Sequence, residues 1–168
     1  MNKGKEISLL QEAEIWEALQ EVKDPEIPVI SVVDMGIITE VKIIDENHIQ
    51  VNMTPTFTGC PAIEVMKKGI KDAVENLGDI RCDVVVDLST TWTSNMITEK
   101  GKAQLEKFGL GYPEKYEGEV DWEMVEKAKC PHCGSTDTSL NSPFGSALCR
   151  SIHICFDCRQ TFERFKPV

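Results

Sequence analysis

Nowhere in the chain does an apolar run approach the ~18–20 residues needed to cross a membrane. The first residues, Met1-Asn2-Lys3-Gly4-Lys5-Glu6, lack the apolar core of a secretory signal, so a cytoplasmic protein with no membrane partner is expected. Basic residues are scarce, 18 Lys and Arg against 28 Asp and Glu, for a formal charge of −10. The deficit lies in residues 1–128, with 13 basic against 25 acidic residues; residues 129–168 carry 5 against 3. Such a body lacks the clustered cations that phosphate backbones require, which argues against nucleic acid as a partner. Histidine is limited to His48, His132 and His153, and no P-loop, dinucleotide fingerprint or Ser/His/Asp set is present. A thiol enzyme would therefore lack an evident base, and no enzymatic activity is expected.

Cysteine is sparse in the first 128 residues, Cys60 and Cys82 only, while five of the seven lie in the last forty. In a reducing compartment they are expected to be ligands and thiols, not disulfides. Cys130-Pro131-His132-Cys133 and Cys155-Phe156-Asp157-Cys158 are two C-x-x-C pairs separated by 21 residues. Each pair puts two thiolates on a tight turn, half a tetrahedron, and the spacer lets the halves meet. The expectation is a zinc ribbon with structural zinc on Cys130, Cys133, Cys155 and Cys158, and strands around 152–156 and 161–165. Four thiolates close the coordination shell, so His132 and His153 are not needed as ligands and catalysis there is not expected. About forty residues bury too little to fold alone, which makes the metal part of the fold. Cys149 is left over, either a buried small residue, the favoured reading, or a fifth nearby thiol.

The remaining chain reads as α+β. Ser8-Leu9-Leu10-Gln11 has capping-box form, and Leu9, Ala13, Trp16, Leu19 and Val22 predict a core stripe on a helix over 9–22. Asp24-Pro25-Glu26-Ile27-Pro28 through Asp34-Met35-Gly36 is a restrained loop. Strands follow at 37–44 and 48–54, with a turn at Asp45-Glu46-Asn47. A helix over 61–77 buries Ile63, Met66, Ile70, Val74 or Ala73, and Leu77, with Gly78 as its stop. A β-branched strand at 82–88 completes a strand–helix–strand crossover, and Cys82 reads as structural. Trp92 packs on the core or anchors a partner. Thr98 caps a short helix to Phe108. The expected organisation is a domain over 1–110, a linker over 111–128 holding a helical turn near 122–128, and the ribbon over 129–168.

Within this plan, Met53-Thr54-Pro55-Thr56-Phe57-Thr58-Gly59-Cys60-Pro61 joins a strand to the best-patterned helix. Pro61 suits the first helical position and Gly59 a sharp turn, which puts Cys60 at the N-cap. Unpaired amides and the helix dipole favour a thiolate there, the form that binds metals.

Asp24-Pro25-Glu26-Ile27-Pro28, Asp34-Met35-Gly36 and the Thr54 to Pro61 stretch together resemble the iron–sulfur assembly domains of SufT-type proteins. With Trp92-Thr93, the Cys-Pro-His-Cys-Gly pair, Ser142-Pro143-Phe144-Gly145-Ser146 and the Cys-Phe-Asp-Cys pair, the whole chain resembles the PaaD family of phenylacetyl-CoA epoxidase accessory subunits. The resemblance implies a carrier or maturation factor that supplies an iron–sulfur cluster, or iron, to a ring-oxygenating system of aerobic phenylacetate degradation. It makes Cys60 a transient cluster or iron ligand, surrounded by Asp24, Glu26, Asp34 and Thr54. Asp24 and Glu26 either offer oxygen ligands or cap the loop. One thiolate cannot hold a cluster that needs about four ligands, so a homodimer, exogenous thiols or a client's ligands are implied. Oxygenase or reductase subunits are the implied partners. The alternative is a docking subunit without cargo. The chain departs from the family at Phe165-Lys166-Pro167-Val168, where relatives often carry another cysteine.

Overall fold

The computed structural model describes residues 12–168, so the capping box at Ser8–Gln11 and Leu9 lie outside the described residues. The chain forms two compact units, dividing between Thr91 and Trp92. Both are small mixed α/β assemblies, and no described helix is long and apolar enough to cross a membrane.

In the first unit, helix α1 spans Glu12–Gln20. It buries Ile15 and Leu19, while Ala13 is exposed and Trp16 half-buried with its indole N–H 3.2 Å from Glu12. The core stripe is thus set by Ile15 and Leu19, not by Ala13 and Trp16. Apolar residues occupy two adjacent helical phases here, and periodicity alone does not choose between them. Strands β1 (Ile38–Asp45) and β2 (His48–Met53) form an antiparallel hairpin, its turn held by Asn47 N–H on Asp45. Helix α2 (Ile63–Glu75) then crosses to β3 (Arg81–Val86), which pairs parallel with β2, giving the order β1-β2-β3. This is the expected crossover. Met66, Ile70 and Val74 form its buried stripe; Leu77 lies past the helix end and is exposed. The chain leaves α2 at Asn76 in ordinary right-handed geometry, so Gly78 is not the left-handed stop that its position suggests.

The second unit contains helix α3 (Glu99–Phe108), strand β4 (Leu110–Gly111), helix α4 (Trp122–Glu126) and strands β5 (Thr138–Ser142), β6 (Arg150–Cys155) and β7 (Thr161–Phe165). Thr98 caps α3 through Gly101 N–H at 3.0 Å, and Gly109 ends it at φ +86°. The sheet order is β4-β7-β6-β5, with Leu110 and Gly111 parallel to Glu163 and Arg164. Residues 92–128, which read from sequence as the end of the first domain and a linker, are therefore built into this unit. Trp92, 3% exposed, packs 6.4 Å from the Phe165 ring, which decides for core packing over a partner anchor.

The two knuckles repeat one geometry. Cys130 N–H bonds Ser135 O at 2.8 Å and Cys155 N–H bonds Gln160 O at 2.9 Å, both five residues on. Four residues after each first cysteine the backbone is left-handed, at Gly134 (φ 76°) in one and Arg159 (φ 61°) in the other. Left-handed geometry costs an L-residue ~1–2 kcal/mol, part of which a glycine returns as unfolded-state entropy. Arg159→Gly is expected to stabilise the zinc-loaded protein by about 0.5–1 kcal/mol and Gly134→Ala to destabilise it by about 1. Urea midpoints check this, and equal midpoints for wild type and both variants would contradict it.

Candidate functional site

Parallel pairing of β2 and β3 brings the loops after both strands to one sheet edge, with the loop entering β1 beside them. Thr54 N–H bonds Ile37 O and Asp87 N–H bonds Met53 O, each at 2.8 Å, so the three loops are tied at their roots. Buried Thr54 donates its hydroxyl to Thr90 O at 2.6 Å. Asp87 folds the same loop, accepting Ser89 N–H at 2.8 Å, Ser89 Oγ at 2.6 Å and Thr90 Oγ1 at 2.8 Å. Those hydrogen bonds, Ser89 first, bring the Asp87 carboxyl down to about 2. The carboxyl edge of parallel strands is where open α/β sheets collect ligands.

Cys60 sits on this edge, half-buried. Its N–H bonds Phe57 O at 3.1 Å and its carbonyl accepts Ile63 N–H at 3.4 Å. The N-cap of α2 is Ala62, so Cys60 lies two residues before the cap position expected for it. Pro61 belongs to a separate turn ahead of the helix, and Gly59 turns without entering left-handed space. Phe57, Leu88 and Val65, on the two loops and the first turn of α2, are exposed.

The carboxylates of the preceding loop are disposed differently. Asp24 Oδ1 accepts Glu26 N–H at 2.8 Å and Ile27 N–H at 2.9 Å, the geometry of a turn cap. Glu26 is exposed on that turn. Asp34, 3% exposed, has Oδ2 3.0 Å from the Ser31 hydroxyl, which accepts Asp34 N–H at 2.9 Å. Among the described residues, neither Cys60 nor these carboxylates belong to a group of three or more side chains that could hold a metal ion.

The group that does is Cys130, Cys133, Cys155 and Cys158, whose sulfurs all lie within 4.8 Å of one another. Cys130–Cys158 is 3.7 Å and Cys133–Cys155 is 3.6 Å. Tetrahedral zinc with ~2.3 Å bonds spaces its sulfurs about 3.8 Å apart, so the thiols fit that ion. Backbone amides, Cys158 first, lower the Cys155 thiol, whereas at Cys133 and Cys158 the amides of Ser135 and Gln160 are outweighed by burial and the neighbouring thiols, which raise both. Cys130 and Cys155 are buried with Ala128 and Phe162, and Cys158 packs against them. His153 is buried on Phe162, rings 5.5 Å apart, and burial holds it neutral with a pKa near 4. Neither it nor His132 joins the thiols. Cys149 is half-buried, outside the group. Cys82 is fully buried in β3, and burial raises its thiol to about 11.

Sequence reasoning overlooked Asp87, Thr90 and Arg159. Asp87-Leu88-Ser89-Thr90 carries the aspartate–serine turn pattern that identifies the first two; no local signal marks a left-handed arginine.

Two family models match the chain: the iron-sulfur cluster assembly protein over residues 12–88 and the PaaD zinc beta ribbon domain over 118–166. A relative in Escherichia coli (strain K12), provisionally named as part of a 1,2-phenylacetyl-CoA epoxidase, is 33% identical over 92% of this chain and 92% of its own. An Fe-S protein maturation auxiliary factor of Porphyromonas gingivalis is 32% identical over 58% of this chain and 92% of its own. The crystal structure of a domain of unknown function, DUF59, from Bacillus anthracis superposes with a TM-score of 0.52 at 24% identity. It covers 56% of this chain and 90% of that one, a likeness of fold.

Proposed function

The chain belongs to the PaaD family, an iron–sulfur assembly domain followed by a zinc β ribbon, and from that premise we propose that it carries an iron–sulfur cluster, or iron, to the metal centre of a phenylacetyl-CoA epoxidase. Cys60 is the cargo ligand in this reading, and the ribbon is its structural module. The observation that carries it is the place of Cys60: a half-buried thiol in the loop that follows β2, at the carboxyl edge of β2 and β3, where Thr54 and Asp87 lock the loop roots.

Incomplete ligation suits a carrier. A cluster held by about four cysteines on one chain resists transfer, whereas one thiolate must borrow its other ligands and can give them up. Those would come from Cys60 of a second copy, from small thiols or from the client. The Asp24 geometry supports loop shaping more than metal ligation, since its Oδ1 already serves two amides. Maturation in this form transfers a cofactor and requires no catalytic base, in keeping with relatives named as auxiliary factors.

The test is iron, zinc and acid-labile sulfide content after anaerobic purification, wild type beside Cys60→Ser. About one zinc per chain is expected in both, with iron and sulfide in the wild type alone. Zinc alone in both, even after reconstitution, would overturn the carrier reading in favour of a docking role. A strict monomer holding a cluster would overturn the version with two Cys60 residues.

A further inference from the structure

The loop between β5 and β6, Ser142-Pro143-Phe144-Gly145-Ser146-Ala147-Leu148-Cys149, is held from several directions. Ser146 donates its N–H and its hydroxyl to the two oxygens of Glu163, the latter at 2.9 Å. Arg150 Nη1 reaches Glu163 Oε2 and Ser146 Oγ, each at 3.1 Å, and its side chain is nearly buried. Burial pushes the Glu163 carboxyl up, but the Ser146 and Arg150 donors outweigh it and keep the group ionised. Gly145 N–H bonds Arg150 O at 2.9 Å, and Lys166 N–H bonds Cys149 O at 2.9 Å. A Cβ at Gly145 would meet Glu163 Oε1 at 2.7 Å and Arg150 Cβ at 3.0 Å, so a side chain there would have to displace the Glu163 carboxylate.

This clamp displays two apolar side chains to water. Phe144 is 63% exposed and Leu148 55% exposed. The Lys166 ammonium lies 4.9 Å from the Phe144 ring centroid, a cation beside the apolar tip. Hiding a Phe or Leu side chain from water is favourable, a gain this loop forgoes on its own. A rigid loop with an exposed aromatic is the form of a binding anchor, because little ordering entropy remains to be lost on contact.

We propose that Phe144 and Leu148 are the anchors by which the ribbon docks onto another subunit of the oxygenase assembly, entering an apolar pocket edged by carboxylates. The Lys166 charge sets the sign of that rim. The proposal rests on the family's place as an oxygenase subunit and is independent of whether Cys60 carries cargo.

The test is biolayer interferometry of the full zinc-loaded chain against the purified epoxidase subunits of the same organism, at low and high salt. Phe144→Ser is expected to weaken binding at least 30-fold, Leu148→Ser and Lys166→Glu about 10-fold, and Ile43→Ser, at an exposed apolar residue of β1, not at all. Unchanged zinc content and circular dichroism show that each variant is folded. Wild-type affinity in Phe144→Ser overturns the proposal, as does wild-type protein that binds no subunit. A dimer that depends on Phe144, with no binding to the subunits, assigns the loop to a second copy and overturns it too. Loss of binding in Ile43→Ser alone assigns the contact to the first unit and is equally adverse.

Discussion

Cys155→Ser is expected to purify without zinc and to lose the folded ribbon. The buried cluster around the four thiols consists of Ala128, Cys130, Cys155 and Phe162, so half of it is ligands. Without the ion the knuckles keep little to pack against. Zinc binding by small structural sites is worth ~10–16 kcal/mol at pH 7. The whole stability of a domain is about 5–15 kcal/mol, so losing the ion is enough to unfold the ribbon at 25 °C. The measurement is zinc content with amide exchange in β5, β6 and β7. Protection there should fall by at least 100-fold in Cys155→Ser, and likewise in wild type after chelation. Cys149→Ser should keep about one zinc per chain, because Cys149 is outside the four-thiol group. Retained protection without metal would mean that the sheet β4-β7-β6-β5 stands on its other core residues, Trp92, Leu105 and Phe165 among them.

That last possibility arises from a feature hidden in the sequence. The ribbon is visible there because two C-x-x-C pairs at a suitable separation constrain thiols to one tetrahedron. What the pairs do not show is that Leu110 and Gly111 extend the same sheet, pairing with residues some fifty positions later. Local pattern carries no trace of so distant a pairing, and the segment 92–128 reads as tail and linker. The first unit is more legible. The strands around α2 are β-branched, the helix has a clean 3.6-residue stripe, and a crossover between parallel strands follows. Once that topology is granted, the loops holding Thr54 and Cys60 must share an edge with the loop after β3. Finer geometry is not legible. Proline at a first helical position is common, yet Cys60 and Ile63 close a separate turn and α2 begins later. On α1 Leu19 is buried as expected, but Ala13 and Trp16 compete with Ile15 for the place beside it, and only tertiary packing selects between them.

The first unit also carries an alkaline sensitivity that can be measured without any metal. Cys82 is fully buried in β3, and burial, with Glu75 and Asp83 adding to it, raises its thiol from about 9 to about 11. Since the folded state holds this proton more tightly than the unfolded chain, the associated stability is complete below pH 9. It is lost as pH rises from 9 through 11, where the unfolded chain ionises and the folded chain does not. Two pH units correspond to about 2–3 kcal/mol, a large share of a small domain's stability. Urea unfolding of the wild type should therefore weaken by about that amount between pH 8.5 and 11, beyond the change seen in Cys82→Ala. Comparing the slopes with pH removes the fixed packing cost of the substitution. Parallel slopes would mean that Cys82 ionises in the folded sheet and that its burial is not tight. The same contrast separates the two thiols of the unit. At pH 7.5 an alkylating reagent should label half-buried Cys60 at least 100-fold faster than Cys82, whose thiolate fraction is only ~10⁻³ to 10⁻⁴. A cargo ligand must be reached from outside, and a strand residue must not be; equal labelling of both would remove the physical ground for assigning Cys60 that task.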